Sequence, residues 1–212
     1  MNRIATSIRN RLSLRRPQEE SLGIMADLAD KLILQKNADL TAELEKVTSF
    51  CPTCTDFERN FPSLCFALAT GVGKTRLMGA FIAYLFLAKN IRNFFVLAPN
   101  LTVYNKLIED FSNTSSPKYV FQGIGEFVHR RPRIITGDNY ESGRGIRGAT
   151  LFGTDVVHIN IFNISKINSE VRGGSAPRIK RLSEYIGQSY FDYLAGLEDL
   201  VMLMDESHRY RA

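Results

Sequence analysis

Apolar residues along the chain change their spacing in blocks, and the blocks predict alternating helices and strands. Ile4, Ile8 and Leu12 recur at every fourth position among Arg3, Arg9, Arg11, Arg15 and Arg16, with no acid before Glu19; this is the pattern of a basic amphipathic helix. Pro17 opens a second helical pattern at a position that suits proline, continued by Leu22, Met25, Ala26, Ala29, Leu32 and Ile33. From Lys36 to Asn60 polar groups mix with Pro52, and Phe61-Pro62 follows, so a helix tail and a loop are expected. The apolar run Ser63-Leu64-Cys65-Phe66-Ala67-Leu68 predicts a strand over Leu64 to Leu68. Leu77, Phe81, Tyr84, Leu85 and Ala88 then predict a helix from Gly73 to about Lys89.

A second strand, Phe94 to Ala98, ends at Pro99-Asn100 and leads into a helix reaching about Phe111. Between Ser115 and Thr154 short strand-like runs, Tyr119-Val120-Phe121 and Arg133-Ile134-Ile135-Thr136, alternate with glycine-rich basic loops. Val156 to Phe162 predicts another strand. Helices are expected from about Arg178 to Ile186 and around Phe191 to Leu197, before a last apolar run, Leu200 to Met204. Strand, loop and helix in repeated succession is the grammar of an α/β domain: a mostly parallel sheet with helices on both faces.

Composition narrows the class. A chain of 212 residues can bury roughly 70% of its unfolded surface, enough for one substantial core, and 44% hydrophobic with 23% charged residues is ordinary for a globular domain. No apolar run approaches the ~20 residues of a membrane span; Met78 to Ala88 falls short, so no membrane partner is expected. The net charge of +5 is compatible with a nucleic-acid partner and equally with a slightly basic protein. Three cysteines make no disulfide framework and fit a reducing, cytoplasmic compartment. Cys51 and Cys54 form a single CxxC, while His129, His158 and His208 stand in unrelated contexts; structural zinc needs four ligands, so two thiols in a loop is the plain reading. The N-terminal stretch shares its arginines and periodicity with transit peptides but runs on without a small-residue cleavage signal, and is taken as part of the protein.

The candidate chemistry sits in two places. Ala69-Thr70-Gly71-Val72-Gly73-Lys74-Thr75 lies between the predicted strand and helix. Glycines allow a tight turn that brings backbone N–H groups against phosphate oxygens, and the helix N-terminus adds a favourable dipole. Lys74 is placed to reach the β- and γ-phosphates, and Thr75 offers its hydroxyl to Mg2+. The eight-residue phosphate-loop pattern asks for glycine first, where this chain has Leu68. At the far end, Asp205 and Glu206 close an apolar strand, where ligands of open α/β sheets bind. Adjacent acids call for a nearby cation. Asp205 would hold Mg2+ through water, and Glu206 would orient and deprotonate an attacking water. Each motif alone has a plainer reading, a helix start or a polar strand end; together they point to hydrolysis of a nucleotide with Mg2+.

These residues resemble a superfamily 2 helicase. ATGVGKT (Ala69 to Thr75) is similar to its motif I, Asp205-Glu206-Ser207-His208 to the Asp-Glu-x-His form of motif II, and Val96-Leu97-Ala98-Pro99-Asn100-Leu101 to motif Ia. More narrowly, the chain resembles the Res subunit of type III restriction enzymes, through Arg16-Pro17-Gln18-Glu19-Glu20-Ser21-Leu22, Val157 to Asn163 and Met204 to Ala212. The resemblance runs from about Leu14 to Ala212 and implies a P-loop NTPase (RecA-like) fold. It implies that Gln18 reads the adenine edge, and that Thr70, Gly71, Val72, Gly73, Lys74 and Thr75 hold phosphate and metal. It further implies metal binding by Asp205, catalysis by Glu206, and coupling of nucleotide state to a neighbouring lobe by His208. Pro99 and Asn100 would touch the nucleic-acid backbone, as could Arg144 and Arg147 in a glycine-rich loop, for which a solvated mobile loop is an equal reading.

The expected organisation is a basic N-terminal segment (1–16), an opening helix and loop (17–62) and an ATP-binding helicase lobe (63–212), with the second lobe and a nuclease domain absent. The expected activity is ATP hydrolysis coupled to movement on double-stranded DNA, weak in this stretch alone. The expected partners are a second helicase lobe and a modification (methyltransferase) subunit. Two rivals stand beside it: a catalytically incomplete nucleic-acid- or protein-binding module, and a P-loop NTPase of another class such as a kinase, against which the Asp-Glu-x-His signature argues.

Overall fold

Asn2 starts the first helix: its side-chain oxygen accepts the Ala5 N–H at 3.0 Å, satisfying one of the donors a helix start leaves open. A computed structural model describes residues 2–142, 156–167, 177–183 and 187–207. It divides into two compact units, Met1–Lys89 and Asn90–Ala212. Among the described residues no helix is long and apolar enough to cross a membrane.

The first unit is helical. α1 (Arg3–Leu12) buries Ala5, Ile8 and Leu12, the face its spacing predicts. α2 (Arg16–Lys31) has Pro17 in its first turn and buries Leu22, Met25, Ala26 and Ala29. α3 (Leu40–Phe50) forms where a loop was expected. Asp39 caps it by accepting the Thr41 and Ala42 N–H groups, and Val47 packs with Leu28 and Phe57, so a cap and one buried contact outweigh its many polar residues. α4 (Lys74–Lys89) is buried at every position from Leu77 to Leu85 and packs against both α1 and α2, as a helix apolar all round must. The fully buried Tyr84 turns its hydroxyl to the Ala26 carbonyl and to Asp30, and Lys89 pairs with Asp30 at 2.8 Å.

The strand expected over Leu64 to Leu68 does not form. The stretch joins no ladder among the described residues, and Leu64, Cys65 and Ala67 are exposed. An apolar run becomes a strand only if another strand takes its N–H and C=O groups, and the described residues of this unit are otherwise helices and loops.

The second unit is α/β. β1 (Asn93–Ala98), β2 (Arg133–Thr136), β3 (His158–Asn163) and β6 (Leu200–Met204) form a parallel sheet in the order β2-β3-β1-β6. β1 is apolar after Asn93, and both β1 and β3 are buried almost throughout, the mark of strands covered on two faces. α5 (Leu101–Ser112) packs on β1, β2 and β3, with Tyr104, Leu107 and Phe111 buried. The opposite face carries Phe95, Leu97 and Phe162, packed with Tyr190 and Leu194 of α8 (Tyr190–Gly196). Asn160 of β3 ties this layer down: its amide donates to the Phe94 carbonyl at 3.0 Å and its oxygen accepts from the Tyr190 hydroxyl. Burial pushes the Tyr190 phenol far above its ordinary range, so it stays a donor.

Two local expectations fail. Tyr119-Val120-Phe121 turns rather than extends, because its rings build an aromatic cluster: Phe121 meets Phe111 and Phe127 edge-on, at 5.6 and 4.6 Å between centroids. Helix α6 (Gly125–His129) follows it. Arg178 to Ile186 is not one helix. A single turn over Arg178–Lys180 gives way to β4 (Leu182–Ser183), paired antiparallel with β5 (Gln188–Ser189). α7 (Ile164–Ile167) extends β3 by one turn.

Candidate functional site

The glycine loop opens α4, and its shape depends on two glycines. Gly71 and Gly73 have φ of +83° and +87°, a region that L side chains enter at a cost of roughly 1–2 kcal/mol. Gly73 also lacks room: a Cβ there would lie 2.6 Å from Gln18 Nε2. Its carbonyl is the first acceptor of α4, taking the Arg76 and Leu77 N–H groups at 3.0 and 3.2 Å.

The same carbonyl accepts from Gln18 Nε2 at 2.8 Å. Gln18 stands in the first turn of α2 and is only 2% exposed. Its other amide end, Oε1, accepts the Arg15 N–H at 2.8 Å, so a donor on one side and an acceptor on the other fix which way the amide faces. Arg15 extends the same grip, its Nη1 donating to the Gly71 carbonyl at 3.3 Å. Arg76 of α4 returns a bond to the Leu12 carbonyl at 3.0 Å, placing a cation on the C-terminal end of α1, where the helix dipole favours it.

This latch has a chemical consequence. In a trans peptide the C=O of one residue and the N–H of the next point in opposite directions. Holding the Gly71 and Gly73 carbonyls toward α2 therefore turns the Val72 and Lys74 N–H groups the other way. Thr70, Gly71 and Gly73 are exposed, and Val72, Lys74 and Thr75 are half-buried. The loop fits a polyphosphate on this geometry. Arg15 and Arg76 were not among the residues singled out from the sequence. The only trace of the first is its place two residues before Pro17, and nothing local marks the second.

The acidic turn is built differently. β6 pairs with β1 in a register that sets Leu97 opposite Met204, and the Asp205 N–H continues the ladder to the Leu97 carbonyl at 3.2 Å. β1 ends one residue later, opposite Asn163 of β3. Asp205, Ala98-Pro99-Asn100 and Asn163 thus share the carboxyl edge of the sheet, on either side of β1, where open parallel sheets bind ligands. Asp205 and Glu206 are half-buried, and Glu206 is left-handed at φ 53°, which bends the chain sharply as it leaves the strand. The far end of the pair is clamped by Asp199, which accepts the Arg92 N–H at 2.8 Å and the Asn93 side-chain amide at 2.6 Å.

Asn100 is exposed, and its side-chain oxygen accepts the Val103 N–H at 2.9 Å, capping α5. Pro99 is half-buried beside it. His208, Arg144 and Arg147 lie outside the described residues. Among the described residues no group of three or more His, Cys, Asp or Glu side chains is arranged to hold a metal ion.

Comparison with known proteins identifies one family. A family model described as "Type III restriction enzyme, res subunit" matches residues 11–212. No curated protein and no solved structure matches the chain.

Proposed function

Because the chain belongs to the type III restriction enzyme res-subunit family, we propose that its ATP-dependent helicase-like motor domain is the ATP-binding lobe of a DNA translocase. One observation supports this most: Arg15 and Gln18 hold the Gly71 and Gly73 carbonyls, which by peptide planarity directs the following N–H groups the opposite way, toward the phosphate this reading places there. Lys74 adds a point charge for the β- and γ-phosphates. Thr75 and Asp205 carry the Mg2+ roles of motifs I and II. The metal, when bound, neutralises phosphate charge. Glu206 orients and deprotonates the attacking water.

Gln18 has a double role. With one N–H and one lone pair already committed, its amide keeps one of each, the pair an adenine edge requires. His208 relays nucleotide state to the neighbouring lobe. Pro99 and Asn100, with Arg144 and Arg147, face the phosphate backbone of double-stranded DNA. A second lobe supplies the arginines that complete the site, a methyltransferase subunit selects the DNA sequence, and the assembly works in the cytoplasm.

Arginine stabilisation of the transition state is worth roughly 10³–10⁵-fold in rate, so residues 1–212 alone bind Mg-ATP and turn it over slowly. Titration with Mg-ATP tests the reading: Lys74→Ala is expected to abolish measurable binding. Retention on DNA that ignores both ATP and Lys74 would support the binding-module reading instead. Fast DNA-stimulated turnover by residues 1–212 would remove the need for a second lobe.

A further inference from the structure

The two cysteines at the end of α3 stand apart from the phosphate loop and the acidic turn. Cys51 follows the helix, its N–H bonding the Val47 carbonyl at 2.7 Å, and the chain then reverses so that the Cys54 N–H donates to the Cys51 carbonyl at 2.9 Å. An i to i+3 bond of this kind brings the outer Cα atoms within about 7 Å, the range a disulfide spans. The turn is anchored from both sides. Thr48 donates its hydroxyl to the Cys54 carbonyl at 2.8 Å, and Cys54 packs on the Leu28, Val47 and Phe57 cluster. The Cys51 sulfur lies 3.4 Å from the Thr53 hydroxyl, and both thiols are partly exposed.

We propose that Cys51 and Cys54 form a reversible dithiol–disulfide site whose co-substrate is a low-molecular-weight disulfide such as oxidised glutathione. The Cys51 thiol is the attacking group. Hydrogen bonds from Thr53 and then from the Cys54 thiol hold it below its ordinary range, whereas the bond to Cys51, and then burial, push Cys54 up. The Cys51 thiolate attacks one sulfur of the small disulfide, forming a mixed disulfide and releasing one thiolate. Cys54 then gives up its proton and attacks the Cys51 sulfur, expelling the second small thiol. The protein loses two protons and two electrons, and the small disulfide gains them. Disulfides of this kind in a reducing compartment are transient and serve sensing or catalysis rather than architecture.

The test equilibrates residues 1–212 in glutathione buffers of increasing oxidised fraction, quenches in acid, alkylates the remaining thiols and maps the peptides. A Cys51–Cys54 link within one chain is expected, lighter by two hydrogen atoms and fully reversed by excess reduced glutathione, with Cys65 still alkylated. In the single variants, iodoacetamide is expected to modify Cys54→Ser several-fold faster than Cys51→Ser at neutral pH. Three free thiols throughout the series, a link through Cys65 or to a second chain, or a stable glutathione adduct without resolution would each overturn the proposal. So would tight zinc binding that protects both thiols in fully reduced protein, since that outcome makes the pair metal ligands. The wild-type mapping stands whether or not a variant folds.

Discussion

The phosphate loop and the acidic turn are held by opposite means. The loop depends on side chains from far along the chain: Gln18 and Arg15 reach its carbonyls across more than fifty residues, and Arg76 returns a bond to Leu12. Asp205 is carried into place by backbone, the register of β6 against β1 taking its N–H to Leu97. A ladder is redundant, because neighbouring bonds share the load, whereas a side-chain latch fails when one residue changes. The loop is therefore the mutationally brittle half, and its brittleness extends to residues that touch no ligand.

Among the residues that shape the loop rather than meet the phosphates with a side chain, the largest expected effect is at Gly73. Alanine there meets the Gln18 amide at 2.6 Å and must adopt φ near +87°, so Gly73→Ala is expected to lower Mg-ATP affinity about 30-fold or more, roughly 2 kcal/mol. Gly71→Ala has the same conformational cost with open space around its Cβ, and is expected to lose less. Equal losses at the two positions would mean that the Gln18 contact adds nothing to loop rigidity.

Next comes Gln18 itself. Gln18→Ala removes the bond to the Gly73 carbonyl and the Arg15 bond that orients it, and is expected to weaken inorganic triphosphate by about tenfold, from roughly 1–2 kcal/mol of lost hydrogen bonding, and ATP by more, because the adenine contact is lost as well. Arg15→Ala, which loses one longer and more exposed bond, is expected to follow in the same direction with a smaller change. If Gln18→Ala weakens ATP and leaves triphosphate untouched, the side chain acts only on the base.

Much of this was legible in the sequence, and the reasons are local. β1 and β6 announce themselves as short continuous apolar runs, and β3 as apolar residues alternating with His158, Asn160 and Asn163. The glycine loop announces itself because positive φ selects glycine. The latch is silent: the resemblance marks Gln18 for adenine, but nothing in the sequence ties Gln18 or Arg15 to the carbonyls of a loop some fifty residues later. Leu64 to Leu68 shows the opposite error: its composition suits a strand, but pairing belongs to the partner and not to the run. α3 was missed because Asp39 and one buried valine decide a helix whose remaining residues are polar.

The sheet half supplies the counterpart test. Asp199→Ala removes the acceptor shared by the Arg92 N–H and the Asn93 amide, at the start of β1 and away from its carboxyl edge. Thermal unfolding is expected to show a loss of about 1 kcal/mol, while affinity for inorganic triphosphate stays at the wild-type value. A matching loss of triphosphate affinity would show that the two halves are not supported independently.

The smallest effect concerns the support of the helical unit and is read through pH. Glu43 is 1% exposed in its side chain. Burial raises its carboxyl, but Lys46 and the Ile33 N–H outweigh that and leave it below its ordinary value. A carboxyl depressed in the folded state favours folding when ionised. Its contribution is complete above the unfolded value of roughly 4.3 and is lost as pH falls through the folded value. Asp30, depressed by its hydrogen bond from Lys89, titrates in the same direction, but its side chain is 47% exposed, so salt screens it. Acid unfolding in high salt isolates Glu43. There Glu43→Gln, which keeps an acceptor for Ile33 but no charge, is expected to flatten the decline below about pH 5 while costing a little stability at neutrality. An unchanged acid slope in that variant would place the sensitivity on other carboxylates and leave α3 without a charge-dependent hold on the end of α2.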